Sequence, residues 1–207
     1  TLLANLDGKA LADPRPVRFA PGKRHKAWDR NVVAIGLSSG FLEPLESTSI
    51  HLIQTGILAL VALFPGQGFN AADIAEYNRQ HNFEFDDVRD FIIAHYKVTN
   101  RDDTPFWNHV RNMDVPDSLA ERLELFRASG RFFVHGKAEL FREESWVQVL
   151  LGQGLEMTYD PVVDMIPEED VIGFMRDIEE VNAEVAAAMP THEAFIDRHC
   201  KAPPIAA

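Results

Sequence analysis

The chain has 207 residues, 46% of them hydrophobic and 25% charged, which is enough for one large domain or two small ones with a sizeable core. Thirty-two acidic side chains against twenty basic ones leave a net charge of -12, and the resulting long-range repulsion argues against a nucleic-acid partner or an anionic membrane surface. A single cysteine, Cys200, excludes an internal disulfide framework and a thiolate metal cluster, so a reducing, cytoplasmic setting is the expectation.

The opening TLLANLDGKAL carries no initiator methionine and reads as the end of a helix, so the expectation is the later part of a longer polypeptide. Pro14, Pro16, Pro21 and Gly22 then make residues 12–25 turn-rich, with at most one short strand at 17–20. Asn31–Gly36 (NVVAIG) is a short β-branched run ending in glycine, which predicts a buried strand leading into a tight turn. Residues 37–45 follow as a loop. Glu46-Ser47-Thr48-Ser49 offers capping side chains to a helix over about 46–64, stopped by Pro65-Gly66. Eleven of the fifteen residues from Ile50 to Phe64 are apolar, but His51, Gln54, Thr55 and Gly56 interrupt them, so the run reads as a buried helix and not a membrane span.

The remainder is helical in pattern. Asn70 can cap a helix carrying Ile74, Tyr77, Val88, Phe91, Ile92 and Tyr96 at spacings of three, four or their sums. Residues 104–113, 117–129, 138–152 and 168–189 repeat the pattern, and His192 to Cys200 forms a short last helix. Gly152-Gln153-Gly154 reads as a helix C-cap, since no strand precedes it. His192 and His199 lie seven apart, but no third ligand accompanies them, so no metal site is expected. Phe106 and Trp107 read as core packing. The fold class expected is mainly α with a small β element at the start.

The most informative stretch is Gly36-Leu-Ser-Ser-Gly-Phe-Leu-Glu-Pro-Leu-Glu-Ser-Thr-Ser49. A glycine-bearing loop after a strand lets the backbone approach a flat or anionic ligand, and the following helix aims the free N–H groups of Thr48, Ser49 and Ile50 at it. Glu43 and Glu46 flank this spot. By pattern alone they are equally well read as acidic first-turn residues that complement the helix dipole.

The segment RNVVAIGLSSGFLEPLESTSIHLIQTGI closely resembles the corresponding segment of the flavin-dependent tryptophan halogenases. His95-Tyr96 through Arg101-Asp-Asp-Thr-Pro-Phe-Trp107, and Phe141-Arg-Glu-Glu-Ser-Trp146-Val-Gln-Val-Leu-Leu-Gly-Gln153-Gly154, are similar to two further stretches of that family, in the same order over roughly residues 1–165. The resemblance implies a defined chemistry. Reduced FAD and oxygen generate an oxidant that halide (chloride or bromide) attacks to give hypohalous acid. This passes along a tunnel to a lysine beside an electron-rich, indole-like aromatic, which is halogenated by electrophilic substitution.

Carried over residue by residue, the resemblance makes Glu46 the catalytic carboxylate, orienting the oxidant or taking the ring proton, with Ser47 fixing or relaying it. Thr48 and Ser49 match the halide-binding amides, Gly36, Phe41, Pro44 and Ile50 the flavin edge, and Trp146 a substrate-side aromatic, for which core packing on an amphipathic helix is the equal alternative. It also implies a division into residues 1–49, ending a flavin-binding α/β domain, and residues 50–207, a helical substrate domain. The N-terminal dinucleotide-binding half lies upstream and is absent from this chain, and a flavin reductase is the supplying partner. Tryptophan-specific members grip the amino-acid group with a tyrosine pair and a Phe-Trp pair. Here the corresponding residues are near Val134-His135 and at Ser145-Trp146, which points to an indole or larger aromatic without that handle. Two alternatives are a flavin-dependent aromatic monooxygenase, disfavoured because Leu37 and not aspartate follows Gly36, and a catalytically silent helical module.

Overall fold

The computed structural model describes residues 3–134 and 139–202. They belong to two compact units, Thr1–Thr158 and Tyr159–Ala207. The described residues are mostly helical, with four strands of two residues each.

The first unit is organised on one long helix, which we label α2 (Ala71–Lys97). Its start is fixed as the sequence predicts, by the Asn70 side chain accepting from the Ala72 amide at 2.9 Å. Along its length Tyr77, Val88, Phe91 and Ile92 are all at most 6% exposed, so the apolar period seen in the sequence is the face it buries. Near its C-terminal half, Phe91, Ala94 and Val98 join Leu119, Leu123 and Phe126 of α4 (Asp117–Ser129) and Trp146 and Leu150 of α5 (Glu143–Gly152) in the main core. Replacing a fully buried aromatic of this kind by alanine typically costs about 3–5 kcal/mol. Between α2 and α4 lies α3 (Pro105–Asn112), whose cap Thr104 accepts from the Trp107 amide.

The residues before α1 (Ser49–Ala62) are tied to α2 largely by polar contacts. Strand β1 (Gly22–Lys23) pairs antiparallel with β4 (Gly40–Phe41), and β2 (Trp28–Asp29) with β3 (Val32–Val33). Asn78 treats Trp28 as a strand neighbour, accepting from its amide at 2.9 Å and donating to its carbonyl at 2.8 Å. Lys23 reaches Asp86 at 2.7 Å and the Asn82 carbonyl at 2.9 Å. The Trp28 indole, 1% exposed, packs edge-on to Tyr77.

Several expectations are corrected. The run 31–36 is not a buried strand: only Val32–Val33 pair, in a tight hairpin turned by Arg30 at φ 55°, and Val32 is 64% exposed. No strand forms at 17–20; its pairing role falls to Gly22–Lys23. The expected helix 46–64 begins later, as α1 (Ser49–Ala62), because Glu46 (φ 68°) and Ser47 (φ 52°) are left-handed and cannot continue a right-handed helix. Thr48 occupies the cap position with no side-chain cap bond.

Nor is α1 buried. Ala59 and Leu60 pack toward Trp28 and Tyr77, but Ile50, Leu58 and Val61 are 67–71% exposed, since none of the described residues of the first unit covers that face. Residues Leu45–Ala62 have a mean hydropathy of 1.3, enough by length and composition for a span. Helix α1 itself rises only ~21 Å against a hydrocarbon core of ~30 Å. The helix expected over 138–152 starts at Glu143; Ala138 lies outside the described residues, as does His135. Its end is a full Schellman cap: Leu155 N–H bonds the Leu150 carbonyl, Gly154 N–H that of Leu151, and Gly154 takes φ 81°.

The second unit opens with a 3₁₀ turn (Pro161–Met165), whose Asp160 side chain accepts from the Val162 amide. Helix α6 (Glu168–Ala188) starts with three acids, and α7 (His192–His199) is capped by Thr191 accepting from the Ala194 amide at 3.2 Å.

Candidate functional site

The loop entering α1 and the last turns of α2 form one polar cluster. Glu46 and Ser47 hold the left-handed conformation that L-residues adopt at a cost of about 1–2 kcal/mol each, and the turn is closed by the Ser47 amide donating to the Pro44 carbonyl at 2.9 Å. This arrangement thrusts the Glu46 carboxylate outward immediately before the helix N-terminus. Ser49 and Ile50, as the first helical residues, have no intrahelical acceptor for their amides.

Consecutive residues of α2 then hold the two acids of the loop. His95 places Nε2 3.1 Å from Glu46 Oε1, while its Nδ1 lies 2.8 Å from the Phe91 carbonyl one turn back. Tyr96 donates its hydroxyl to Glu43 at 2.6 Å, and this bond, with burial, pushes the phenol up to about 12. Tyr96 and Glu43 also line an apolar cleft of about 390 Å³ with Phe19, Pro21, Leu42, Ile92 and Ile93, where Arg89 supplies a further charge.

Of the residues singled out from sequence, Gly36 (φ 68°) and Ser49 are brought together, lining a small hollow with Leu37, Ser39, Leu52 and Ile53. Phe41 is half-buried, edge-on to Phe19 at 5.1 Å. Pro44 and Ile50 are exposed, and Thr48 is buried. Trp146 is not in this cluster. It is 0% exposed in the main core, stacked on Phe132 at 5.2 Å, edge-on to Phe91 at 4.9 Å and 4.9 Å from the Arg122 guanidinium. Phe91 is the bridge between the two regions, its ring also edge-on to His95 at 4.7 Å.

Two features escape the sequence reading. His95 and Tyr96 stand in a quoted motif without an assigned role; the signal was their position as adjacent polar residues ending an apolar helix face. Phe106 and Trp107, expected in the core, instead cluster with Tyr96 at the surface: Phe106 is 54% exposed, and Arg101 lies 4.4 Å above the Trp107 ring. Helix α3 is short and carries its aromatics at its exposed start, where α2 supplies Tyr96 as their ring partner.

Comparison with known proteins bears on what this cluster serves. Residues 1–168 match the tryptophan halogenase family model. Tryptophan 7-halogenase KtzQ of Kutzneria sp. (strain 744) is 32% identical over 202 residues, covering 88% of this chain and 37% of that protein. Among solved structures, Xcc4156, a flavin-dependent halogenase from Xanthomonas campestris, superposes with a TM-score of 0.90 at 49% identity, over 98% of this chain and 41% of that one. BrvH, a flavin-dependent halogenase from Brevundimonas sp. BAL3, gives 0.86 at 43% identity, over 95% and 40%. The chain thus spans about two fifths of the length of these relatives. With its motifs in order and its fold shared almost throughout, the chain belongs to the tryptophan halogenase family.

Proposed function

We propose that this chain is the C-terminal portion of an FADH2-dependent halogenase acting on an electron-rich, indole-like aromatic, with a flavin-binding portion upstream and a separate flavin reductase as supplier. The observation that carries the reading is Glu46: an outward carboxylate on a strained turn, fixed by His95, beside the open amides of α1. Substituting halogen for hydrogen on an aromatic ring releases one proton, and we take Glu46 as its acceptor. Ser47 closes the turn that presents Glu46. The Thr48 and Ser49 amides, at the positive end of α1, suit a halide.

Four residues of this chain would meet the flavin. Gly36, Phe41, Pro44 and Ile50 are the residues we assign to the flavin edge; Ile50 is 71% exposed and Leu37, next to Gly36 in sequence, 73%, apolar side chains suited to a flat ring system. When bound, reduced FAD with oxygen supplies the oxidising equivalents that make halide electrophilic. The protein's own contribution here is to seat the ring edge, hold halide at α1 and accept the ring proton. The cleft beside Glu43 and Tyr96, apolar over most of its lining, is where an aromatic without an amino-acid handle would find burial. Trp146 contributes as a wall of the core behind His95 and Phe91, the role its burial supports.

The decisive experiment replaces Glu46 by Gln in the complete enzyme. Shape and hydrogen bonding are kept, and proton-accepting capacity is lost. Turnover is expected to fall at least about tenfold, given that general-base groups are typically worth 10²- to 10⁴-fold, with flavin affinity retained. An unchanged rate would leave Glu46 as a helix-start residue only.

A further inference from the structure

We propose that His95 is the positioning residue for Glu46, holding its carboxylate by one oxygen so that the other faces the reaction. The inference rests on the reading of Glu46 above and adds a residue to it. Its basis is the bonding of the imidazole. The Phe91 carbonyl can only accept, so at 2.8 Å it fixes a proton on Nδ1. With that proton on Nδ1, Nε2 at 3.1 Å from Glu46 Oε1 meets a carboxylate, the form in which Glu46 accepts a ring proton, favourably only as the charged imidazolium. His95 therefore acts on Glu46 as an ion-pair partner seated at one carboxylate oxygen.

The ring is itself held firmly. Its side chain is 15% exposed, its edge meets Phe91 at 4.7 Å, and Phe91 is 1% exposed and stacked on Phe141 at 3.9 Å. Glu46 has no such support of its own: its side chain is 37% exposed, it leaves a left-handed turn, and His95 is its one ion-pair partner among the described residues. The neighbouring acid, Glu43, is occupied by Tyr96 and does not compete for the imidazole. A flexible carboxylate on a surface turn is thus anchored to the core of α2 through one ion-pair contact. This leaves Oε2 for the substrate ring or the oxidant, and small displacements of such a group carry large penalties in rate.

The test is a double-mutant cycle in the complete enzyme with His95→Phe, His95→Gln and Glu46→Gln. His95→Phe keeps the ring packing and removes the donor; kcat is expected to fall about 10- to 100-fold, with KM for the aromatic and flavin affinity nearly unchanged. His95→Gln, which retains an N–H to offer, restores most of that loss. In the Glu46→Gln background, His95→Phe adds less than about threefold, because the group it positions is gone. If the two losses multiply, or His95→Phe leaves kcat unchanged while Glu46→Gln lowers it, the positioning role is overturned and the Glu46 reading stands. If Glu46→Gln changes nothing, the Glu46 reading itself fails. Should His95→Phe melt early, the cycle with His95→Gln decides by the same criterion of coupling.

Discussion

Arg122 on α4 lies 3.1 Å from Asp87 on α2, and their side chains are 8% and 3% exposed. The same guanidinium meets Glu139 at 2.9 Å, so one cation serves two buried acids. Burial, reinforced by the Glu139 charge and opposed by Arg122, pushes the Asp87 carboxyl from 3.8 up to about 7.

That shift has a definite sign. Between pH 3.8 and about 7 the unfolded chain has released the Asp87 proton while the native protein keeps it, so stability falls as pH rises through this window. Asp87→Asn cannot titrate. Its stability relative to the parent is therefore expected to improve steadily with pH across the window and to stay level beyond it. Urea unfolding at a series of pH values measures this difference, and a flat difference would show that Asp87 does not hold its proton in the folded state.

His81 works in the opposite direction. Burial, assisted by the Lys23 charge, lowers it from 6.5 to about 4, and its Nε2 is buried with no hydrogen-bond partner among the described residues. As pH falls from 6.5 towards 4 the unfolded chain takes up a proton that the native ring refuses, and stability is lost. His81→Phe keeps the packing on Phe85, now 4.5 Å between ring centres, and should flatten the acid limb of the stability profile. Thermal melting of both proteins between those pH values would reveal the change, and parallel curves would count against it.

Gly40 sits where β4 crosses both β1 and α2. A Cβ there would come 2.7 Å from the Phe85 ring, 2.9 Å from the Gly22 carbonyl and 3.0 Å from the Lys23 Cα. Two of those three neighbours are backbone. Gly40→Ala is therefore expected to cost about 1–3 kcal/mol, as overpacking usually does, and to loosen the loop carrying Glu46. A melting point within a degree of the parent would mean that β1 moves aside freely.

How legible this was in the sequence follows from what each feature depends on. The Asn70 cap, the buried face of α2 and the Gly154 cap rest on residues within a few positions of one another, and periodicity finds them. The strand forecast at 31–36 failed because β-branched residues signal burial, whereas Val32 has no sheet to lie against here and pairs only across a hairpin. The start of α1 was misplaced because no propensity marks Glu46 and Ser47 as left-handed. Motif words drew attention to Glu46, but its link to His95 spans forty-nine positions and became visible only when α2 folded back along the loop.

Substrate preference follows from residues this chain lacks. The sequence contains three tyrosines, at 77, 96 and 159, and none is adjacent to another. Tyr96 is committed to Glu43 and Tyr77 is 1% exposed, so neither is free to grip a carboxylate or ammonium. Burying such charges without partners is costly. In the complete enzyme, free tryptophan is thus expected to show a kcat/KM no higher than that of indole when both are assayed with bromide. A clear preference for tryptophan would place the handle-binding groups elsewhere.

Residues 1–207 alone are expected neither to hold FAD nor to halogenate. Tight flavin binding in dinucleotide folds depends on a glycine-rich turn between strand and helix, which sets the pyrophosphate on a helix N-terminus. Here Gly66-Gln67-Gly68 follows helix α1 and Gly152-Gln153-Gly154 ends helix α5, so neither has the preceding strand. The family resemblance also implies a lysine at the substrate, and none of Lys9, Lys23, Lys26, Lys97, Lys137 and Lys201 lies in a stretch resembling the family's lysine motif. Lys23 and Lys97 are moreover engaged, with Asp86 and the Met113 carbonyl. The uncovered face of α1, with Ile50, Leu58 and Val61, should make the isolated chain self-associate. Titrating FAD by fluorescence and assaying indole bromination with a reductase tests both halves of the claim. Micromolar FAD affinity, or turnover above the background of free hypohalite, would mean that these residues carry the catalytic machinery by themselves.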